Sequence, residues 1–335
     1  MTKKITAEQF ASEIIKYDNI MILTHSHPDG DTIGTGEALL NILSMLGNNA
    51  VLVCTDELPE HIRFISEYAD PEKCYFGRKI PENLSDSAVV SVDIATGSLV
   101  DSSFSQYTEK ICLALDHHDI NTLDCPLLFI DENASSAGEA MYEVIKLLED
   151  KTGKKLIDKN TACALYTAIS SDSGNFKYSC TTGKTLKIAG ELIDLGAENA
   201  EIARMLFDVK SLGTFKAEAL CTENITFLCE GKLAFSYMTK EMCKERGILE
   251  SEFDTCVQLL RMIKGVEIGV FAKEKYDADG KKNFRLSMRS NTYADVASIC
   301  AHFGGGGHKK AAGCTVYGEI ADVIKNISDI TLTLL

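Results

Sequence analysis

"NIMILTHSHPDGDTIG", residues 19–34, opens as an apolar run and ends with two histidines and two aspartates inside the seven positions 25–31. A short apolar run bounded by turn-forming residues reads as a buried strand. Residues 32–46 then carry helical character and close on Gly47, a residue suited to a left-handed helix end. Strand, polar loop and helix make the opening of an α/β unit, and the pattern recurs. "AVLVCT" (50–55), "SAVVSVD" (87–93) and "KICLALDHH" (110–118) are further strand-like runs separated by helical or turn-rich stretches. Such alternation predicts a mostly parallel sheet with helices on both faces. Upstream, "TAEQFASEIIKY" (6–17) places Thr6 and Gln9 at capping-box spacing and predicts a first helix.

Three of these strands end in polar clusters: His25–Asp31 after the first, Asp93 after "VVSV", and Asp116-His117-His118 after "CLAL". Open parallel sheets bind ligands at the carboxyl ends of their strands, so the clusters are expected to converge. Asp172, in "SSDSGNF", follows a predicted helix and is expected to reach the same place from a loop. Carboxylates brought together at neutral pH repel one another and need positive charge. Divalent cations supply it, and mixed imidazole and carboxylate donors without cysteine suit Mn²⁺ and related ions better than Ca²⁺ or Mg²⁺. Asp29 and Asp31, two apart, can each serve a different ion of a pair ~3.5–4 Å apart that activates water for attack on phosphorus. Each segment also has a plainer reading. Asp29 and Asp31 suit a turn with Asp31 or Thr32 capping the next helix, Asp93 a strand-end turn, and Asp172 an ordinary loop. Five of only seven histidines, His25, His27, His117, His118 and His308, lie in these clusters or beside the glycine run at 304–307, which argues for the joint reading.

The 335-residue length favours two domains. After "LLFID" the chain turns helical, with "SSAGEAMYEVIKLLED" (135–150), "KNTACALYTAISSD" (159–172), "TGKTLKIAGELIDLG" (182–196) and "AEIARMLF" (200–207). A boundary is expected near 210–224, where "KSLGTFKAEALCTEN" reads as a helical connector. Beyond it come the strands "KLAFSYMT" (232–239), "VEIGVFAKEK" (266–275) and "NFRLSMRS" (283–290), a helix "ADVASICAHFG", the glycine run and a strand "CTVY". The twelve cysteines are scattered without a CxxC pair and read as reduced, mostly buried thiols. No stretch approaches a membrane span, and "MTKKITAEQF" lacks a signal-peptide core, so a cytoplasmic protein without membrane attachment is expected. The net charge of −15 disfavours sliding on long nucleic acid, yet residues 261–313 hold ten Lys/Arg against five Asp/Glu. That local balance leaves room for a short anionic substrate.

"HSHPDGD", "VD", "DHH" and "SDSG", in this order, resemble the four motifs of the DHH phosphoesterase superfamily, and "FGGGGHKKAAG" (303–313) resembles the signature of the associated C-terminal domain of its first subfamily. The chain is most similar to the stand-alone nanoRNase/pAp-phosphatase type. The resemblance implies a DHH catalytic domain at 1–208, a helical linker at 209–224 and a smaller α/β substrate-binding domain at 225–335. It implies that His25, Asp29 and Asp93 hold one metal, that Asp31, Asp93, His117 and Asp172 hold the other, and that Asp93 bridges them. The ions would be Mn²⁺, with Mg²⁺ or Co²⁺ as alternatives. His118 would face the phosphate and Asp116 would orient a histidine, while His27 stays outside the ligand set. Arg289 matches the family's substrate-binding arginine, which grips a phosphate in a fork. Gly305, Gly306, Gly307 and His308 would offer a close backbone approach and positive charge, with Ser287 and Ser290 as weaker contacts.

The implied activity is a phosphodiesterase, exoribonuclease and 3′(2′),5′-bisphosphate nucleotidase. It would cleave short RNA or DNA oligonucleotides, such as nanoRNA or pApA, to nucleoside monophosphates and pAp to AMP, by two-metal hydroxide attack on phosphorus. The alternative within the class is a cyclic-di-AMP/pApA phosphodiesterase of signalling. A catalytically silent nucleotide-binding regulator fits less well with a full ligand set. A homodimer is compatible with the fold, and the sequence marks no interface.

Overall fold

Seven parallel strands carry the first part of the chain in the computed structural model, which describes residues 2–78, 80, 84, 86–253 and 255–334. They are β1 (Lys3–Lys4), β2 (Asn19–Leu23), β3 (Asn49–Cys54), β4 (Cys74–Phe76), β5 (Ala88–Val92), β6 (Ile111–Asp116) and β7 (Leu127–Ile130), in the spatial order β1-β7-β6-β5-β2-β3-β4. The chain therefore builds outward from β2 to β3 and β4, then crosses back to lay β5, β6 and β7 on the other side. Neighbouring β2 and β5 mark the point where strand order reverses, and open α/β sheets bind ligands in the crevice there.

Both faces of the sheet are buried, which is why its strands read as apolar runs and not as alternating patterns. Ile20, Ile22, Leu52, Val90 and Leu113 pack under α1 (Ala7–Ile14) and α2 (Gly30–Leu46). Met21, Leu23, Val51, Val53 and Val89 face the other way, against Leu84, Val100, Leu123 and Phe104. The helical cover is unequal. α4 (Ala137–Thr152) and α5 (Lys159–Asp172) add to the first face, whereas the second has connecting segments and the four-residue α3 (Ser105–Thr108). α6 (Gly183–Asp194) and α7 (Asn199–Ala203) follow, and the helix expected over 200–207 passes after Ala203 into a π-helical turn, Arg204–Asp208.

Small residues set the spacing of α2 and α5. A Cβ on Gly34 would lie 2.4 Å from the Ala164 carbonyl oxygen, and one on Gly30 would lie 2.6 Å from the Ser171 Cβ. These absences draw the end of α5 against the start of α2, which sets Asp172 near Asp31.

The molecule divides into two compact units, Met1–Val209 and Lys210–Leu335. The second unit holds a mixed six-stranded sheet of β8 (Thr226–Leu228), β9 (Leu233–Met238), β10 (Ile268–Tyr276), β11 (Lys282–Ser290), β12 (Gly306–His308) and β13 (Ala311–Tyr317), ordered β12-β13-β11-β10-β9-β8. α11 (Val296–Ala301) and α12 (Ile320–Leu334) pack on one face, against Val270, Leu286 and Met288. α8 (Leu212–Glu223) and α10 (Cys256–Arg261) pack on the other, where Ala217, Leu220 and Leu260 meet Ala234 and Phe271. The short α9 (Lys240–Arg246) lies between β9 and α10 in sequence. Residues 212–223, read in the sequence as a connector, thus belong to the core of the second unit. None of the cysteines is in a disulfide, and no described helix is long and apolar enough to cross a membrane.

Candidate metal centre

The loops after β2, β5 and β6 meet at the point where strand order reverses. Asp93 follows β5 in a left-handed conformation, φ 59°, a cost of order 1–3 kcal/mol for a non-glycine residue that persists where the surroundings fix it. Its two oxygens face different partners. Oδ2 lies 3.4 Å from His25 Nε2, and Oδ1 lies 3.7 Å from His117 Nε2. His25 Nε2 also lies 3.9 Å from Asp29 Oδ1, while His117 Nε2 lies 3.6 Å from Asp31 Oδ2 and 3.3 Å from Asp172 Oδ2. The donor atoms of His25, Asp29 and Asp93 are close enough together to hold one ion, and those of Asp31, His117 and Asp172 to hold another. Asp93, His117 and His118 form a third, overlapping group.

The electrostatics call for cations. Burial first, then the neighbouring carboxylates, push Asp31 and Asp93 well above the usual carboxylate range. Burial and Asp29 push Asp172 up to about 7. Among the described residues the ion-pair partners of Asp29, Asp31, Asp93 and Asp172 are all histidines. Asp93 Oδ1 is buried without a hydrogen-bond partner, an arrangement that costs about 1–3 kcal/mol or more for a charged group unless a ligand satisfies it. An orphaned carboxylate oxygen between two imidazole and carboxylate groups fits a pair of divalent ions, and the oxygen and nitrogen donors suit Mn²⁺-like metals.

Outer contacts hold these donors. Asp31 accepts from the Ala137 and Gly138 amides at 2.7 and 2.9 Å, so the N-terminus of α4 grips it. Asp29 caps α2, its Oδ1 accepting from the Asp31 and Thr32 amides at 3.0 Å. The cap expected at Asp31 or Thr32 falls on Asp29, because Asp29 has the extended backbone a cap requires. The plainer reading of that residue is therefore true alongside its place in the donor group. His25 Nδ1 pairs with the Ser26 carbonyl oxygen at 2.8 Å, which leaves Nε2 as the donor toward the centre. Asp172 is the last residue of α5 itself, before the chain turns through Gly174, Asn175 and Phe176, all with positive φ.

His118 is set apart. Its Nδ1 bonds Asp116 Oδ1 at 2.8 Å, and this bond, against the opposing effect of burial, raises its pKa to about 9. Burial raises the Asp116 carboxyl, but His118, Asn121 and the His117 amide hold it below the usual range. His117 is pushed the opposite way from His118, by burial and by the His118 charge. The site thus pairs a neutral imidazole suited to metal ligation with a cationic one whose Nε2 remains available. His27 is exposed, in a left-handed conformation, and pairs with Asp56.

Two residues carry no motif and were not anticipated. Asn121 donates Nδ2 to Asp116 Oδ2 at 2.6 Å and to the Ile94 carbonyl at 3.1 Å, tying the residue after Asp93 to the carboxylate that orients His118. Glu139, fully buried on α4, accepts from the Ser135 amide and hydroxyl and from Thr185. It shapes the turn that delivers the Ala137 and Gly138 amides to Asp31. Asn121 sits five residues after Asp116, a spacing a search for loop-closing side chains could have caught; Glu139 reads only as a helix residue.

In the second unit, antiparallel pairing puts Arg285, Ser287 and Arg289 of β11 on one face with Ala311, Gly313 and Thr315 of β13. Gly306 and His308 of β12 share it through Gly313 and Ala311. The result is a shelf with a floor of small residues between Arg289 and His308. The second half of the glycine run, Gly306 and Gly307, is part of β12, so this half of its backbone lies in a ladder. The members of the run differ: a Cβ on Gly305 would lie 2.2 Å from the Gly313 carbonyl oxygen, Gly304 and Gly307 have φ +70° and +141°, and Gly306 opens on space without a positive φ. Ser287 lies on the shelf. Ser290 is buried on the opposite face, its hydroxyl donated to the Ala294 carbonyl at 2.8 Å, so it is not available to a substrate.

The comparisons with known proteins agree with this geometry. Residues 19–169 match the DHH family, N-terminal domain, and residues 231–332 match the DHHA1 domain. The bifunctional oligoribonuclease and PAP phosphatase NrnA of Thermus thermophilus is 29% identical over 303 residues, 89% of this chain and 84% of that protein. The protein of the same name from Bacillus subtilis is also 29% identical, over 90% of each chain. The crystal structure of an exopolyphosphatase-related protein from Bacteroides fragilis superposes with a TM-score of 0.86 at 20% identity, covering 97% of this chain and 95% of that one. With both domains matched in order and the motif side chains gathered around one centre, the chain belongs to the DHH phosphoesterase superfamily.

Proposed function

We propose that this protein hydrolyses short oligonucleotides to nucleoside monophosphates and pAp to AMP, using two divalent ions, Mn²⁺ foremost. The observation that carries the reading is Asp93, whose oxygens address a histidine on each side and whose buried Oδ1 has no hydrogen-bond partner among the described residues. The relatives bearing the name oligoribonuclease and PAP phosphatase support the substrate class.

His25, Asp29 and Asp93 would hold one ion and Asp31, Asp93, His117 and Asp172 the other. When bound, such ions polarise a phosphoryl oxygen and make water nucleophilic at neutral pH. The protein supplies the rest. Asp116 keeps the His118 ring protonated and fixed, so that Nε2–H donates to the phosphoryl or leaving oxygen as negative charge develops there. Asn121 and Glu139 keep the ligands in place, since outer-sphere contacts of this kind typically carry about 10–100-fold in metal affinity or activity. In the second unit, Arg289, Gly306, Ser287 and His308 are the shelf groups that would bind a nucleotide.

Time courses on RNA of two to ten nucleotides, with and without a 5′ phosphate, alongside pAp and cyclic di-AMP, under Mn²⁺ and then Mg²⁺, test the reading. Metal-dependent release of monophosphates from the shortest chains and of AMP from pAp is expected. Turnover of cyclic di-AMP alone, no turnover of any of these substrates, or turnover that survives Asp93→Ala at the wild-type rate would overturn it.

A further inference from the structure

On the face of the second sheet that carries the shelf, Arg289 pairs across the ladder with Gly269. A Cβ on Gly269 would lie 2.9 Å from the Arg261 amide nitrogen and 3.0 Å from the Val257 carbonyl oxygen. The missing side chain therefore lets the end of α10 sit directly on the strand and puts Arg261, its last residue, beside Arg289. Asn291 fixes this placement by donating to the Arg261 and Val266 carbonyls at 2.8 and 2.9 Å.

The two guanidiniums are neighbours, and neither has an ion-pair partner among the described residues. Arg261 Nε bonds Gln258, and Arg289 Nη1 donates to the Met288 carbonyl at 3.0 Å. Among the described residues the ion pairs nearest in sequence, Lys275 with Glu250 and Lys282 with Glu274 and Glu319, involve neither arginine. Both side chains stay half-buried, and burial together with the Arg261 charge holds the Arg289 guanidinium below its ordinary range. Like charges kept together this way repel until an anion lies between them. An arginine fork recognises phosphate oxygens in a planar, bidentate manner, and each of these two has N–H groups left over.

We propose that Arg261 joins Arg289 in a two-guanidinium receptor for a terminal phosphomonoester of the substrate. A monoester carries close to two negative charges at neutral pH and three acceptor oxygens, whereas an internal diester carries one charge. Two forks therefore select the monoester end. The identity of the remainder of the substrate rests on the oligonucleotide reading above; the receptor itself rests on residues of the second unit.

The test is calorimetric binding of AMP and of adenosine to the metal-loaded full chain, in wild type, Arg261→Ala and Arg261→Lys, with KM for pApA and ApA in parallel. Wild type should prefer AMP, and Arg261→Ala should cut that preference at least tenfold, as should the pApA to ApA preference in KM. Arg261→Lys, keeping charge without the fork, should fall between, and it carries the test if the alanine variant fails to fold. An undiminished AMP preference in a folded Arg261 variant, or no AMP preference in wild type, overturns the receptor. Arg261-dependent AMP binding in a protein that cleaves no oligonucleotide would overturn the proposed function and leave the receptor standing.

Discussion

Stripping the metal should make the protein less stable as pH rises, which reverses the usual behaviour of a carboxylate-rich protein. Asp172 has a folded pKa of about 7 against an unfolded value near 3.9. Between those values the folded chain holds a proton that the unfolded chain has lost, so stability falls as pH climbs from about 4 through 7. The full shift corresponds to about 4 kcal/mol. The Asp172 side chain is 32% exposed, and solvent screening brings the figure to about 2–3 kcal/mol. Asp31 and Asp93 push in the same direction. About half of the Asp172 figure, 1–1.5 kcal/mol, falls between pH 5.5 and pH 8, which for a unit of this size is about 2–6 °C in Tm. Scanning calorimetry of chelator-treated wild type and Asp172→Asn at pH 5.5 and pH 8 isolates the effect. Wild type should lose Tm over that interval by more than Asp172→Asn does, and added Mn²⁺ should abolish most of the loss. A metal-free wild type whose Tm is flat or rising with pH, or matches the variant's slope, would refute the electrostatic argument.

Further consequences follow from individual contacts. Asp116→Asn should bring the His118 titration down from about 9 toward 6.5 or below, read by NMR of the chelated protein; an unmoved titration would mean another group holds the proton. Glu37 is fully buried on α2 with neither oxygen hydrogen-bonded, so Glu37→Met should raise stability by about 1–3 kcal/mol, seen as a higher Tm at pH 7. Gly34→Ala should cost about 1–3 kcal/mol through overpacking, and by prising α2 from α5 should also weaken Mn²⁺ binding in a metal titration; unaltered stability and affinity would show that the helices yield freely there.

The sequence revealed the parts of this structure that depend on local pattern. The strand runs ending at Leu23, Val92 and Asp116 stand out because a sheet buried on both faces needs unbroken apolar stretches. The capping box at Thr6 and Gln9 forms as its spacing implies. The convergence of His25, Asp93 and His117 follows from strand ends in a parallel sheet, with no need to know the strand order. What stayed hidden depends on contacts across long sequence separations. Glu139 acts through Thr185, 46 positions away, and Arg261 gains its place because Gly269 lacks a side chain. The helix at 212–223 shows no apolar stripe by itself, although Ala217, Leu220 and Cys221 are buried against one side of the second sheet. α12 was not anticipated although Val323, Ile327 and Thr331 recur every four residues and are buried; the approach of the chain end masked an ordinary helical stripe.

Two-metal chemistry in this protein requires Asp93 to lie between two cation sites. Anomalous diffraction from a crystal grown with Mn²⁺ measures this directly. Two peaks should appear on either side of Asp93, one bounded by His25 and Asp29 and the other by Asp31, His117 and Asp172. A single peak away from Asp93, or none at these side chains, would contradict it.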